Sequence, residues 1–130
     1  MLDDKISYLF ENGVVESLSG SCGTRDIAWS EHTVSKGVFL KHIVRGEDTG
    51  GALSCHLVRV NPGELLDTHI HNGKLEIHQV LEGQGIAQVG DRTMDYKAGS
   101  VNVIPADMEH QVKAGPEGVF ILATFSPALL

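Results

Sequence analysis

The sequence has no run of about 18 apolar residues, so nothing in it reads as a helix that crosses a bilayer. It has no basic run either. Its 10 Lys and Arg residues are scattered among 17 Asp and Glu, for a formal net charge of −7. Phosphates would not be neutralised by such a chain, which excludes a nucleic-acid partner. Cysteine is scarce. Cys22 lies in a Gly/Ser-rich stretch and Cys55 in an apolar alternating run, and both read as free thiols. The opening MLDDKISYLF lacks the apolar core of a secretion signal, so a cytoplasmic location is expected. Internal repeats and low-complexity tracts are missing, and no helical period of useful length follows Gly13.

The chain's 130 residues suffice for one core but not for two. Its hydrophobic fraction of 42% is ordinary for a globular domain. Residues 3–13 read as a short helix. Asp3 or Asp4 can cap it, Ile6, Leu9 and Phe10 share a face, and Gly13 can end it. Residues 19–24 read as a flexible joint. The expected organisation is an N-terminal arm, helical or extended, over 1–24, and one β-domain over 25–130.

From Ile27 onward, short runs rich in β-branched residues alternate with Gly, Pro, Asn and Asp. They cover about 27–34, 37–45, 52–60, 66–71, 75–82, 85–89, 92–97, 101–104, 109–113 and 118–125. Short strands so spaced predict an all-β antiparallel sandwich or barrel. Gly90-Asp91 marks a tight hairpin.

Histidine is plentiful, at seven residues. His69 and His71 are two apart, the spacing that puts side chains on one face of a strand. Glu76 follows the turn Asn72-Gly73-Lys74, and His110 lies in a later run. Three imidazoles and one carboxylate can enclose a divalent cation. The competing reading is four unrelated polar residues on strands.

The surrounding punctuation decides between the two. Gly63, His69, His71, Glu76 and Gly83 fall on every fixed position of G-x5-H-x-H-x4-E-x6-G. Gly99, Pro105 and His110 match G-x5-P-x-G-x2-H-x3-N. Asp107 replaces the motif glycine and Ala114 the asparagine; aspartate tolerates left-handed backbone angles better than most residues. These are the two motifs of the cupin family, which the sequence resembles over about 27–126. The resemblance implies a double-stranded β-helix, the cupin jelly-roll barrel. It implies one divalent metal ion per chain (Fe, Mn, Ni, Zn, Co or Cu) on His69, His71, Glu76 and His110, and usually a homodimer. It also implies a metal-dependent enzyme of dioxygenase, isomerase or lyase type acting on a small organic molecule. The alternative is a non-catalytic cupin that binds or senses a small ligand.

Other residues can shape the pocket. His78 is two after Glu76, on the same face, and is the candidate catalytic acid or base; it can instead orient a metal ligand from behind, or simply line the barrel as a hydrogen-bonded histidine. His42 and His56 line the barrel if their strand faces point inward. Arg59, of opposite parity to His56, can hold a substrate carboxylate. Tyr96, Trp29 and Phe125 are candidate walls. Gln79 points away from Glu76, and Cys22 is an exposed thiol.

Overall fold

The computed structural model describes residues 5–130. The proposed caps Asp3 and Asp4 lie outside the described residues. The helix α1 spans Ile6–Glu11 and buries none of its side chains fully. It rests on the barrel through a Ser7–Glu82 hydrogen bond and a Lys5–Glu82 ion pair of 3.6 Å.

The expected joint at 19–24 is not a joint. β1 (Val14–Ser17) and β2 (Gly20–Gly23) form an antiparallel hairpin with Val14 opposite Gly23. Serine and glycine made the segment look flexible, but Gly20 supplies the positive φ of +130° that follows the tight turn.

The remaining strands are β3 (Ser30–Glu31), β4 (Val38–Val44), β5 (Ser54–Val60), β6 (Leu65–His69), β7 (Leu75–Val89), β8 (Arg92–Lys97), β9 (Val101–Ile104) and β10 (His110–Ser126). A single helical turn, α2 (Gly46–Thr49), links β4 to β5 and is too short to show a period in sequence. The strands form one antiparallel sheet in the order β3-β4-β5-β10-β7-β8, with β6 also paired to β10 and β9 to β7. The jelly-roll barrel expected from the sequence is what the chain forms.

Two pairs of predicted runs are single long strands. Residues 75–82 and 85–89 merge into β7, and 109–113 and 118–125 merge into β10. The glycines between them bend the ribbon without ending it. The β7–β10 register shifts between Ala114 and Val119, where Gly83 (φ +85°) crosses Gly118 (φ +79°). A Cβ on Gly83 would fall on the Gly118 carbonyl oxygen. The predicted run 27–34 shrinks to the two-residue β3. Gly90 turns the expected β7–β8 hairpin with φ +55°, between paired Val89 and Arg92.

The core fills the barrel at one end with Val38, Val60, Ala87, Val112, Ile121 and Tyr96, each at most 1% exposed. Burial of each such aliphatic side chain contributes roughly 1.5–3 kcal/mol. The histidines stand beside this core on the same interior face, where Tyr96 touches His78.

Candidate metal centre

His69 ends β6, and its cross-strand partner is His110 at the start of β10. Glu76 stands at the start of β7, and its partner on β10 is Phe125. His71 lies past the end of β6, so strand parity alone does not place it. A clamp does. The Asp107 carboxylate accepts the Gly73 N–H at 2.7 Å, and the Asp107 N–H reaches the His71 carbonyl at 3.4 Å. Asp107 itself has φ +64°, the left-handed angle the motif glycine would take. Its substitution for glycine therefore ties the loop of His71 to the loop of His110.

The four expected residues meet. One ligand atom from each of His69, His71, Glu76 and His110 lies within 4.8 Å of the others. Opposite ligands on one ion with bonds near 2.1 Å stand about 4 Å apart, so the set can close on a single cation. The hydrogen bonds turn the right nitrogens inward. His69 Nδ1–H donates to the Asp67 carbonyl at 2.7 Å, and His110 Nδ1–H to the Met108 carbonyl at 2.9 Å. Both leave Nε2 facing the cluster. Glu76 Oε1 and His110 Nε2 approach to 3.2 Å, yet neither buried atom has a hydrogen-bond partner of acceptable geometry. Such orphaned polar atoms are costly unless something absent from the protein satisfies them, and a cation between them would do so.

The electrostatics agree. Burial opposes ionisation of Glu76, but His78 and His110 outweigh it and hold the carboxyl well below the usual carboxylate range. Burial pushes His69 down to about 4 and lowers His71 as well. Both are then neutral near pH 7, as ligation requires. Burial also disfavours the charged form of His110, but its contact with Glu76 prevails and raises it.

His78 is 1% exposed and stands behind Glu76. Its Nε2 is 2.6 Å from Glu76 Oε2 and its Nδ1 2.7 Å from the Tyr96 hydroxyl. The carboxylate can only accept, so Nε2 carries a hydrogen. The Tyr96 O–H has no other acceptor among the described residues, so it donates to Nδ1. Both ring nitrogens are engaged, the arrangement of a residue that orients Glu76 from behind.

A cavity of about 350 Å³ opens beside the cluster. Val38, Leu40, Val58, Leu66 and Phe125 give it an apolar wall, with Leu129 and Leu130 at its edge. His42 borders it, and the fully buried His56 stands next to His42 on β5. His32, which sequence reading overlooked, also lines it, because a loop residue obeys no alternation. Its Nδ1 accepts the Val34 and Ser35 N–H groups at 3.1 and 3.0 Å. All seven histidines of the chain thus gather at one end of the barrel.

Arg59 does not reach the cavity. It lies on the outer face of β5, stacked 4.8 Å from the Trp29 ring and 4.9 Å from Phe39. Opposite parity to His56 sent it outward, so it holds no ligand in this cavity. Trp29 is likewise outside, edge-on to Phe120 at 5.9 Å. Tyr96 is core, Phe125 is a cavity wall, and Gln79 and Cys22 are exposed. Both cysteines are free.

A family model described as Cupin domain matches residues 56–125, more than half of the chain. The chain belongs to the cupin family. This cupin is 35% identical over 72 residues to the dimethylsulfoniopropionate lyase DddW of Ruegeria pomeroyi, a match that covers 55% of this chain and 47% of that protein. The cupin therefore spans about half the length of the curated relative. It superposes on a predicted oxalate decarboxylase from Thermotoga maritima with a TM-score of 0.73 and 22% identity, covering 79% of this chain and 95% of the other. An RmlC-like cupin from Shewanella frigidimarina gives a TM-score of 0.70 and 19% identity, over 83% and 90% of the two chains. At these identities the solved structures speak for the fold. No helix among the described residues is long and apolar enough to cross a membrane.

Proposed function

We propose that this cupin is a metal-dependent enzyme of the lyase type acting on a small organic acid, with His69, His71, Glu76 and His110 holding one divalent ion. The observation that carries the reading is the buried pair Glu76 Oε1 and His110 Nε2, 3.2 Å apart and both without a hydrogen-bond partner. When bound, the ion supplies Lewis-acid polarisation of a carboxylate or carbonyl, or, as iron, a site for oxygen chemistry. The chain's own residues do the rest. His78 donates its Nε2 hydrogen to Glu76 Oε2 and so leaves Oε1 to face the ion. We assign His78 this positioning role, with Tyr96 holding it from behind. The apolar wall excludes water from the ligand's body, and a volume near 350 Å³ suits a small molecule.

The lyase branch, rather than the isomerase or dioxygenase branch, rests on the likeness to DddW. The direct test incubates the metal-loaded protein with dimethylsulfoniopropionate and measures dimethyl sulfide and acrylate, the products of β-elimination with loss of one proton. Release that disappears in His110→Ala supports the reading. Binding of small carboxylates without any turnover would favour the ligand-sensing alternative.

We further propose a homodimer. Among the described residues β9 pairs only with β7, and it exposes Val101 and Val103, an open apolar edge suited to a second copy. The two free thiols support a cytoplasmic location.

A further inference from the structure

A second polar chain reaches the cavity through His42, which also borders a neighbouring groove beside Arg45 and Asp48, and the proposed metal centre does not use it. His42 on β4 and His56 on β5 are cross-strand partners, with their Nδ1 atoms 2.7 Å apart. A register shift follows His42 directly, which re-aims the strand end around it. His56 Nε2 lies 2.8 Å from Ser54 Oγ, and Ser54 Oγ accepts the Leu129 N–H at 2.8 Å. Ser54 and His56 are both fully buried.

The direction of the hydrogens follows from satisfaction of each group. The buried Ser54 hydroxyl has one acceptor among the described residues, His56 Nε2, and donates to it. His56 therefore carries its hydrogen on Nδ1 and donates to His42 Nδ1. His42 in turn carries its hydrogen on Nε2, which has no partner among the described residues. Burial lowers both imidazoles, His56 to about 4, with Arg45 lowering His42 further, so the neutral tautomers hold at neutral pH. Phe125 stands between this pair and the cluster, its ring 5.5 Å from His56 and 4.9 Å from His71.

We propose that His42 is a ligand-orienting residue whose Nε2–H donates to an oxygen of the molecule held at the metal centre. The ligand class this donor favours is then a small organic acid with a second oxygen acceptor at the end remote from its carboxylate; dimethylsulfoniopropionate, which has none, would bind at the metal centre without using it. Ser54, through His56, sets the tautomer and is a positioning residue. The metal centre enters this inference through the reading given above; the tautomer chain does not depend on it.

Two measurements on the full chain test the proposal. The first is ¹⁵N NMR of protein labelled at histidine, without added metal. His42 should show its hydrogen on Nε2 and His56 on Nδ1, and Ser54→Ala should scramble the His56 tautomer. A hydrogen on His42 Nδ1 overturns the proposal. The second is calorimetry on zinc-loaded protein with matched probes, pentanoate against 4-oxopentanoate and hexanoate against 5-oxohexanoate. At least one oxo acid should bind roughly tenfold tighter than its parent, the weight of one hydrogen bond. His42→Leu should remove that preference, read as the ratio of oxo-acid to parent affinity in the same variant, while His42→Gln, which keeps an N–H donor, should retain part of it. Equal affinities in the wild type, or a preference that survives His42→Leu, overturn the proposal. Failure to take up zinc or any of Fe, Mn, Ni, Co and Cu would overturn the metal centre instead, and NMR would still decide the tautomer of His42.

Discussion

Glu76 and His78 sit two residues apart on one face of β7, and Glu76 Oε2 accepts the His78 Nε2–H at 2.6 Å. The bond consumes one carboxylate oxygen and orients the other toward His110. It also makes the Tyr96 hydroxyl, 2.7 Å from His78 Nδ1, the third member of a buried line. Removing His78 should therefore loosen the metal centre without dismantling it. His78→Ala is expected to lose about 10–100-fold in metal affinity, the usual effect of deleting a group that orients a ligand. Tyr96→Phe should lose less. Competition with a chromophoric chelator measures both.

His110→Ala removes a proposed ligand rather than its support. Wild-type protein should hold about one divalent ion per chain by elemental analysis, and the variant should lose it to mild chelation. The loss should be several kcal/mol of site affinity, on the order of one ligand's share. A wild type that takes up no Fe, Mn, Ni, Co, Cu or Zn would refute the centre.

Stability should fall with acid through the His56 side chain. Its folded value is near 4 against an ordinary 6.5, so the unfolded chain takes up the proton first. The contribution is fully present above about pH 6.5 and is lost as pH falls toward 4. Thermal melts across that window should drop in the wild type. His56→Gln should show a shallower decline, though not a flat one, because His69 is lowered to about 4 as well.

Gly83→Ala should cost roughly 2–4 kcal/mol, combining a positive φ with a backbone collision. A Cβ there meets the Gly118 carbonyl, and no side-chain rotation relieves it. Chemical denaturation gives the value; a change under 1 kcal/mol would mean that the β7–β10 crossing opens easily.

Light scattering should report a dimer at micromolar concentration. Val103→Lys, on the open edge of β9, should shift it toward monomer without changing metal content.

The spacing of two short motifs determined most of the His/Glu cluster that can hold a metal. Each of its four residues lies within a few positions of a turn glycine, proline or aspartate, so local geometry carries nearly all the information. Strand parity likewise placed His78 beside Glu76 and Gln79 away from it, because the side-chain period of a strand is two. Parity could not say which face of β4 or β5 points inward. Leu57 and Val58 are neighbours on opposite faces and both are buried, at 0% and 6% exposure. Only the closed barrel turned His56 inward and Arg59 out. The bond from Gly73 to Asp107 spans 34 residues, and the one from Leu129 to Ser54 spans 75. Such contacts exist only after closure. The cluster of His69, His71, Glu76 and His110 was therefore legible in the chain, while the engagement of His78, the arrival of His32 and the His42–His56 pair depended on which strands the barrel brought side by side.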